Sequence, residues 1–293
     1  MDNKKKSYLL AFFAVFFWAT SATAFKLTLE GMNNVQLLFY SSISSTIALV
    51  FIGLLKRVKF FKTLFNPINL LIGFMNPFLY YLILFKAYSL LPAQEAQPLN
   101  FTWPIAISIF SIIFLGNKFS LKTYIGLILA FIGIVVISTR GNIFSFSFEN
   151  GFGTLLAVSS SLIWASFWII NLKDKRGSNE KLIGSFFWGS VFIALYASLF
   201  DTILIENPIY ILGGLYIGFF EMGITFYVWL RALELSADRA KVSTLAFLAP
   251  FISMLLIAFV LGEVIRVSSI VGFGFIVGGI GIQNIKFVRF RQV

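Results

Sequence analysis

The 293-residue chain is 59% hydrophobic and only 12% charged, with a mean hydropathy of +0.91, against roughly 45–50% apolar and about 25% charged in soluble domains. No soluble fold hides that much apolar surface, so lipid must solvate most of it. With neither Cys nor His, the chain has no disulfide framework, thiol nucleophile or thiolate metal site, and zinc-hydrolase and His-triad chemistry are excluded.

In chain order the apolar runs predict ten spanning helices, near 8–27, 35–55, 68–90, 94–115, 121–139, 151–172, 182–200, 209–233, 242–261 and 267–287. Each is close to the roughly 20 residues a span needs. The first follows Lys4-Lys5-Lys6 and has the outline of a signal peptide. Its length, its internal Trp18 and the nine runs after it favour a retained span, and a signal-anchor origin fits equally well. Spans three and four nearly touch at Leu91-Pro92-Ala93; eight and nine are joined by the short charged link Glu234 to Lys241.

The net charge of +11 is explained by topology rather than by nucleic acid. With a cytoplasmic N-terminus, nineteen of the 23 Lys and Arg residues fall on the inner side. Only Lys26, Arg140 and Arg266 fall outside, and Lys86 lies within the third span. That asymmetry follows the positive-inside rule and puts both termini in the cytoplasm.

Four marks recur at one offset of 146 residues: Pro104, Gly116, Gly126 and Gly133 return as Pro250, Gly262, Gly272 and Gly279. Trp18 keeps the same offset to Trp164. The expected fold is therefore an all-α membrane protein of two five-helix repeats, 1–145 and 146–293. An odd number of spans per half makes the repeats inverted, with a site at their interface near the midplane. Two duplicated bundles that merely pack together would leave the same echo.

Pro104 to Leu115-Gly116-Asn117, Pro250 to Leu261-Gly262-Glu263 and Phe17-Trp18-Ala19-Thr20 resemble the repeats of EamA-domain proteins in the drug/metabolite transporter superfamily. Asn117 departs from the usual Leu-Gly-Glu corner. Leu99-Asn100-Phe101-Thr102-Trp103-Pro104 and Ile163-Trp164-Ala165-Ser166 resemble the YddG-type branch of aromatic amino-acid exporters. The resemblance implies a ten-helix monomer that moves small metabolites, usually outward.

Glu221 is the leading site candidate. It sits at mid-depth of span eight, where a carboxylate costs about 2.5–3.5 kcal/mol to insert and usually faces a polar cavity. It suits a substrate ammonium or a carried proton; a structural acid paired with Lys86 is the alternative. Asn76, before Pro77, lies one position from the repeat mate of Glu221, and Pro77 frees the Gly73 carbonyl. Gln94, Gln97 and Asn100 share a helical face beside Trp103; interhelical hydrogen bonding is the alternative use.

Trp18, Trp164 and Trp168 lie inside spans rather than in interfacial belts, beside hydroxyls that suit either a ligand or a helix seam. Tyr80 and Tyr227 complete the expected walls. Spans one, three, four, six, eight and nine should line the cavity while five and ten brace it. Gly274 and Gly278 form a small-xxx-small pair, with packing inside the monomer favoured over dimerisation. Lys26 and Arg231 should snorkel.

The sequence thus reads as a secondary transporter of the bacterial inner membrane, exporting amino acids or similar small amphipathic metabolites. A nucleotide-sugar, choline or drug transporter is the near rival; a membrane-embedded enzyme or a non-transporting scaffold are the distant ones. The partners implied are a small-molecule substrate, the lipid bilayer and, where transport is coupled, a proton or ion. No catalytic residue, metal, cofactor or nucleic acid is implied.

Overall fold

The structure is a computed structural model that describes residues 2–58, 63–115, 121–142, 150–236, 242 and 245–284. Asn117 and Gly116, and the basic residues Lys59, Lys62, Lys118, Arg239, Lys241, Lys286, Arg289 and Arg291, lie outside that set. We number the helices α1 (Asn3–Leu29), α2 (Asn34–Leu55), α3 (Ile68–Leu90), α4 in two pieces (Ala93–Asn100 and Trp103–Leu115) and α5 (Leu121–Ser138). The second half supplies α6 (Gly151–Lys173), α7 (Ser178–Phe200), α8 (Tyr210–Leu235), α9 (Leu248–Leu261) and α10 (Val267–Asn284).

Among the described residues α1, α2, α3, α6, α7 and α8 contain runs long and apolar enough to cross a membrane; Tyr124–Ser138, Leu248–Leu261 and Val267–Ile282 are shorter apolar helices. Side chains such as Phe16, Phe51, Phe131 and Phe259 are exposed on the outside. Water would not tolerate so large an apolar surface, whereas hydrocarbon does. The chain is an integral membrane protein.

Local chemistry sets the helix limits. Asn33 caps α2 by accepting from the Val35 and Gln36 backbone N–H groups, and Gln36 accepts from the Asn33 N–H in return, so orphan donors are satisfied reciprocally. Asn150 caps α6 through Gly153 N–H. At Phe101-Thr102 the helix stops and restarts, with the Thr102 hydroxyl donating to the Leu99 carbonyl and Pro104 in the first turn of the second piece, where a missing N–H costs nothing.

Helix α3 widens to a π segment at Phe74–Leu79, and α8 does so at Ile217–Ile224. The two segments overlap under the 146-residue offset. Such widenings cluster at functional sites. Asn76 leaves helical geometry altogether (φ −150°, ψ 119°).

Helix packing pairs the halves reciprocally. Helix α1 lies against α8 and α9, and α6 against α3 and α4; α2 lies against α8, and α7 against α3. Helices α5 and α10 form the most extensive pair. There a Cβ on Gly133 would stand 2.5 Å from the Gly272 carbonyl, and one on Gly279 would stand 2.6 Å from the Gly126 carbonyl. Exchanging the repeats turns one contact into the other (Gly133 to Gly279, Gly272 to Gly126), so the antiparallel crossing maps onto itself. For Gly274 and Gly278, expected to pack inside the monomer, a Cβ on either would meet nothing within 4 Å. The seam uses the flanking Gly272 and Gly279 instead.

Candidate functional site

A cavity with about 620 Å³ of space free of protein atoms, its mouth included, lies between the halves. Trp18, Ser21 and Phe25 of α1 line it, with Tyr80, Leu84 and Tyr88 of α3. The broken α4 adds Gln97, Asn100, Phe101 and Trp103, and Trp164, Glu221 and Ala246 complete it from the second half. These residues come from α1, α3, α4, α6 and α8 and the turn leading into α9.

The walls are aromatic. Tyr80 lies on Trp164 with centroids 4.8 Å apart, and Phe25 meets Tyr88 edge-on at 5.2 Å. Phe226 stands edge-on to both Trp164 (5.4 Å) and Trp18 (6.4 Å), an arrangement aromatic quadrupoles favour. Beyond this layer, towards the end that carries Lys56 and Arg231, a second cleft is lined by Phe167, Trp168, Phe226 and Lys181. Phe226 lines this second cleft and packs behind the Trp164 and Trp18 rings of the first cavity.

The polar groups are few and placed. Glu221 is only 8% exposed, and the Tyr81 hydroxyl lies 3.0 Å from each of its carboxylate oxygens, donating to them. Sequence reasoning offered Lys86 as its partner; Lys86 is instead exposed, lining a different surface pocket with Glu206. Asn100 accepts from Tyr80 at 3.4 Å and donates to Ser160 at 2.8 Å, while the Thr102 hydroxyl donates to Ser161. The serine run of α6 therefore pins the break in α4. Gln97 is 6% exposed, and its Oε1 is buried with no hydrogen-bond partner.

Not every candidate lies on this cavity. Tyr227 lines a separate pocket with Lys56 and Arg231. Asn76 is fully buried with both amide atoms unpartnered, and it is not part of the cavity wall. The Gly73 carbonyl lies beside Gly189 of α7, in line with a helix contact rather than a ligand. Of the stripe Gln94–Gln97–Asn100, Gln94 points away: its amide N–H donates to the Val264 carbonyl, and its Oε1 accepts from the Arg266 N–H.

That end of the molecule is latched by charge. Pro92 offers no side-chain cap to the first piece of α4, and Glu263 accepts from the Ala93 and Gln94 N–H groups in its place. A carboxylate there satisfies orphan donors and complements the helix dipole. One turn deeper, Glu95 pairs with Arg140 at 2.9 Å and with Arg266 at 2.5 Å. Lys26, expected to snorkel, donates to the Tyr88 and Leu91 carbonyls at the end of α3. Arg231 pairs with Glu234 on the surface. Sequence reasoning missed Tyr81 and the capping role of Glu263, since both depend on which helices meet.

Comparison with known proteins agrees with this architecture. The chain is 27% identical over 298 aligned residues to the uncharacterized transporter YvbV of Bacillus subtilis (strain 168), covering 97% of this chain and 93% of that one. It is 25% identical over 259 residues to the aromatic amino acid exporter YddG of Ancylobacter novellus, covering 87% and 88%. A solved crystal structure matches with a TM-score of 0.69 at 23% identity over 96% of each chain, a likeness of fold alone. The model of the EamA-like transporter family matches residues 5–139 and again residues 151–285. Covered twice over nearly all its length, the chain belongs to the EamA-like transporter family.

Proposed function

We propose that the protein is a secondary active transporter that exports amino acids or similar small amphipathic metabolites across the bacterial cytoplasmic membrane by alternating access. The observation that carries this reading is the cavity between the halves, where the buried Glu221 sits among Trp18, Tyr80, Trp103 and Trp164. A carboxylate that deep in a membrane protein is costly unless it serves a polar path. The similarity to an aromatic amino acid exporter supports the substrate range and the outward direction. In this reading ten spans form two inverted repeats, 1–145 and 146–293, with both termini cytoplasmic. The reciprocal Gly126–Gly279 and Gly133–Gly272 contacts support the inversion, because only antiparallel mates exchange in that way. The inner charge excess supports the orientation.

Transport follows from the two closures. The Glu95–Arg140–Arg266 cluster and the Glu263 cap close one end, and the aromatic layer around Phe226 closes the other. Rocking one repeat against the other opens them in turn. Counterflow of labelled metabolites into proteoliposomes preloaded with the same compound tests the reading: saturable exchange of at least one small amphipathic metabolite is expected. No exchange across a panel of amino acids and amines would overturn it.

A further inference from the structure

We propose that the cavity selects primary or secondary ammonium ions on an aromatic or apolar body, and discriminates against zwitterions with the same body and against quaternary ammonium. The inference rests on the transporter reading and narrows its substrate range to the amines, setting aside the zwitterionic amino acids within it. Its central observation is an imbalance of charge. Among the described residues Glu221 is the one carboxylate lining the cavity, and neither Lys nor Arg lines it. Lys26 is turned towards the backbone carbonyls of Tyr88 and Leu91, while Arg140 and Arg266 are held by Glu95. The indole N–H and hydroxyl groups of the walls are neutral donors. A zwitterion would bring one ammonium to serve both its own carboxylate and Glu221, and the uncompensated buried negative charge is strongly disfavoured.

A second observation is the supply of acceptors. Glu221 receives one donor, the Tyr81 hydroxyl, shared between both oxygens, which leaves most of its lone pairs free. The Oε1 of Gln97, in a side chain more than nine-tenths buried on the same cavity, has no partner. Buried acceptors in this state call for N–H donors. A primary or secondary ammonium supplies two or three; a quaternary ammonium supplies none and would leave Gln97 unsatisfied. The aromatic rings of Trp18, Trp103 and Trp164 suit both the cationic head, through their negative faces, and an aromatic body.

The test uses the full-length protein in detergent and in proteoliposomes, with matched probes: phenethylamine, phenylalanine and phenyltrimethylammonium. Phenethylamine should raise the thermal midpoint in a saturable manner and exchange in counterflow, with phenylalanine at least about tenfold weaker for its uncompensated carboxylate and phenyltrimethylammonium at least about tenfold weaker for its lost hydrogen bonds. Glu221→Gln should abolish the phenethylamine shift. Should that variant not fold, Gln97→Leu should weaken phenethylamine binding and shrink its margin over phenyltrimethylammonium. Equal or tighter binding of phenylalanine overturns the selectivity while leaving the transporter reading intact. Equal binding of phenyltrimethylammonium overturns the hydrogen-bond argument. Absence of phenethylamine binding together with exchange of another metabolite overturns the inference alone, and absence of any exchange overturns both readings.

Discussion

The Tyr81 hydroxyl donates to both carboxylate oxygens of Glu221, which fixes the acid against α3 while its remaining lone pairs face the cavity. Tyr80, next in sequence, points to Asn100 and lies on Trp164. Two adjacent tyrosines thus serve different roles: one orients the acid and the other forms the wall. A hydrogen bond to a charged group contributes about 1.5–3 kcal/mol. Replacing Tyr81 by Phe should therefore raise the half-saturating substrate concentration in counterflow by roughly tenfold or more. An unchanged half-saturation in Tyr81→Phe removes the hydroxyl from the site.

Among the elements, the α5–α10 pair is the most extensive joint between the repeats, and backbone meets backbone there. Gly133 faces the Gly272 carbonyl and the side chain of Ile276, with no room for a Cβ. Overpacking such a contact costs about 1–3 kcal/mol. Gly133→Val should lower the thermal midpoint of the purified protein clearly, whereas Gly278→Val, with open space around it, should not. Equal midpoints for the two variants contradict the crossing described here. The first piece of α4 serves two sites: Gln94 and Glu95 join the charged latch while Gln97 and Asn100 line the cavity, which Trp103 joins from beyond the break.

For the whole molecule, the constant 146-residue offset made the duplication legible, and Gly126, Gly133, Gly272 and Gly279, which keep it, meet at the crossing of α5 and α10. Polar and aromatic residues deep in apolar runs also stood out. Glu221, Gln97, Asn100, Trp18, Trp103, Trp164 and Tyr80 all come together on one cavity. What remained hidden depends on helix rotation. The departure from helical geometry at Asn76 resets the face that Tyr80 and Tyr81 present, so neither the Tyr81–Glu221 bond nor the outward turn of Lys86 follows from spacing. Gln94 shares a helical face with Gln97, yet the loop ending α9 captures it. The central claim is that substrate crosses through this cavity and is held there by Glu221. Counterflow measured side by side for the wild-type protein and Glu221→Gln, at matched reconstitution and with phenethylamine as the labelled solute, tests it most directly. Saturable exchange by the wild type and none by the variant is the predicted result; equal exchange by both would contradict the account.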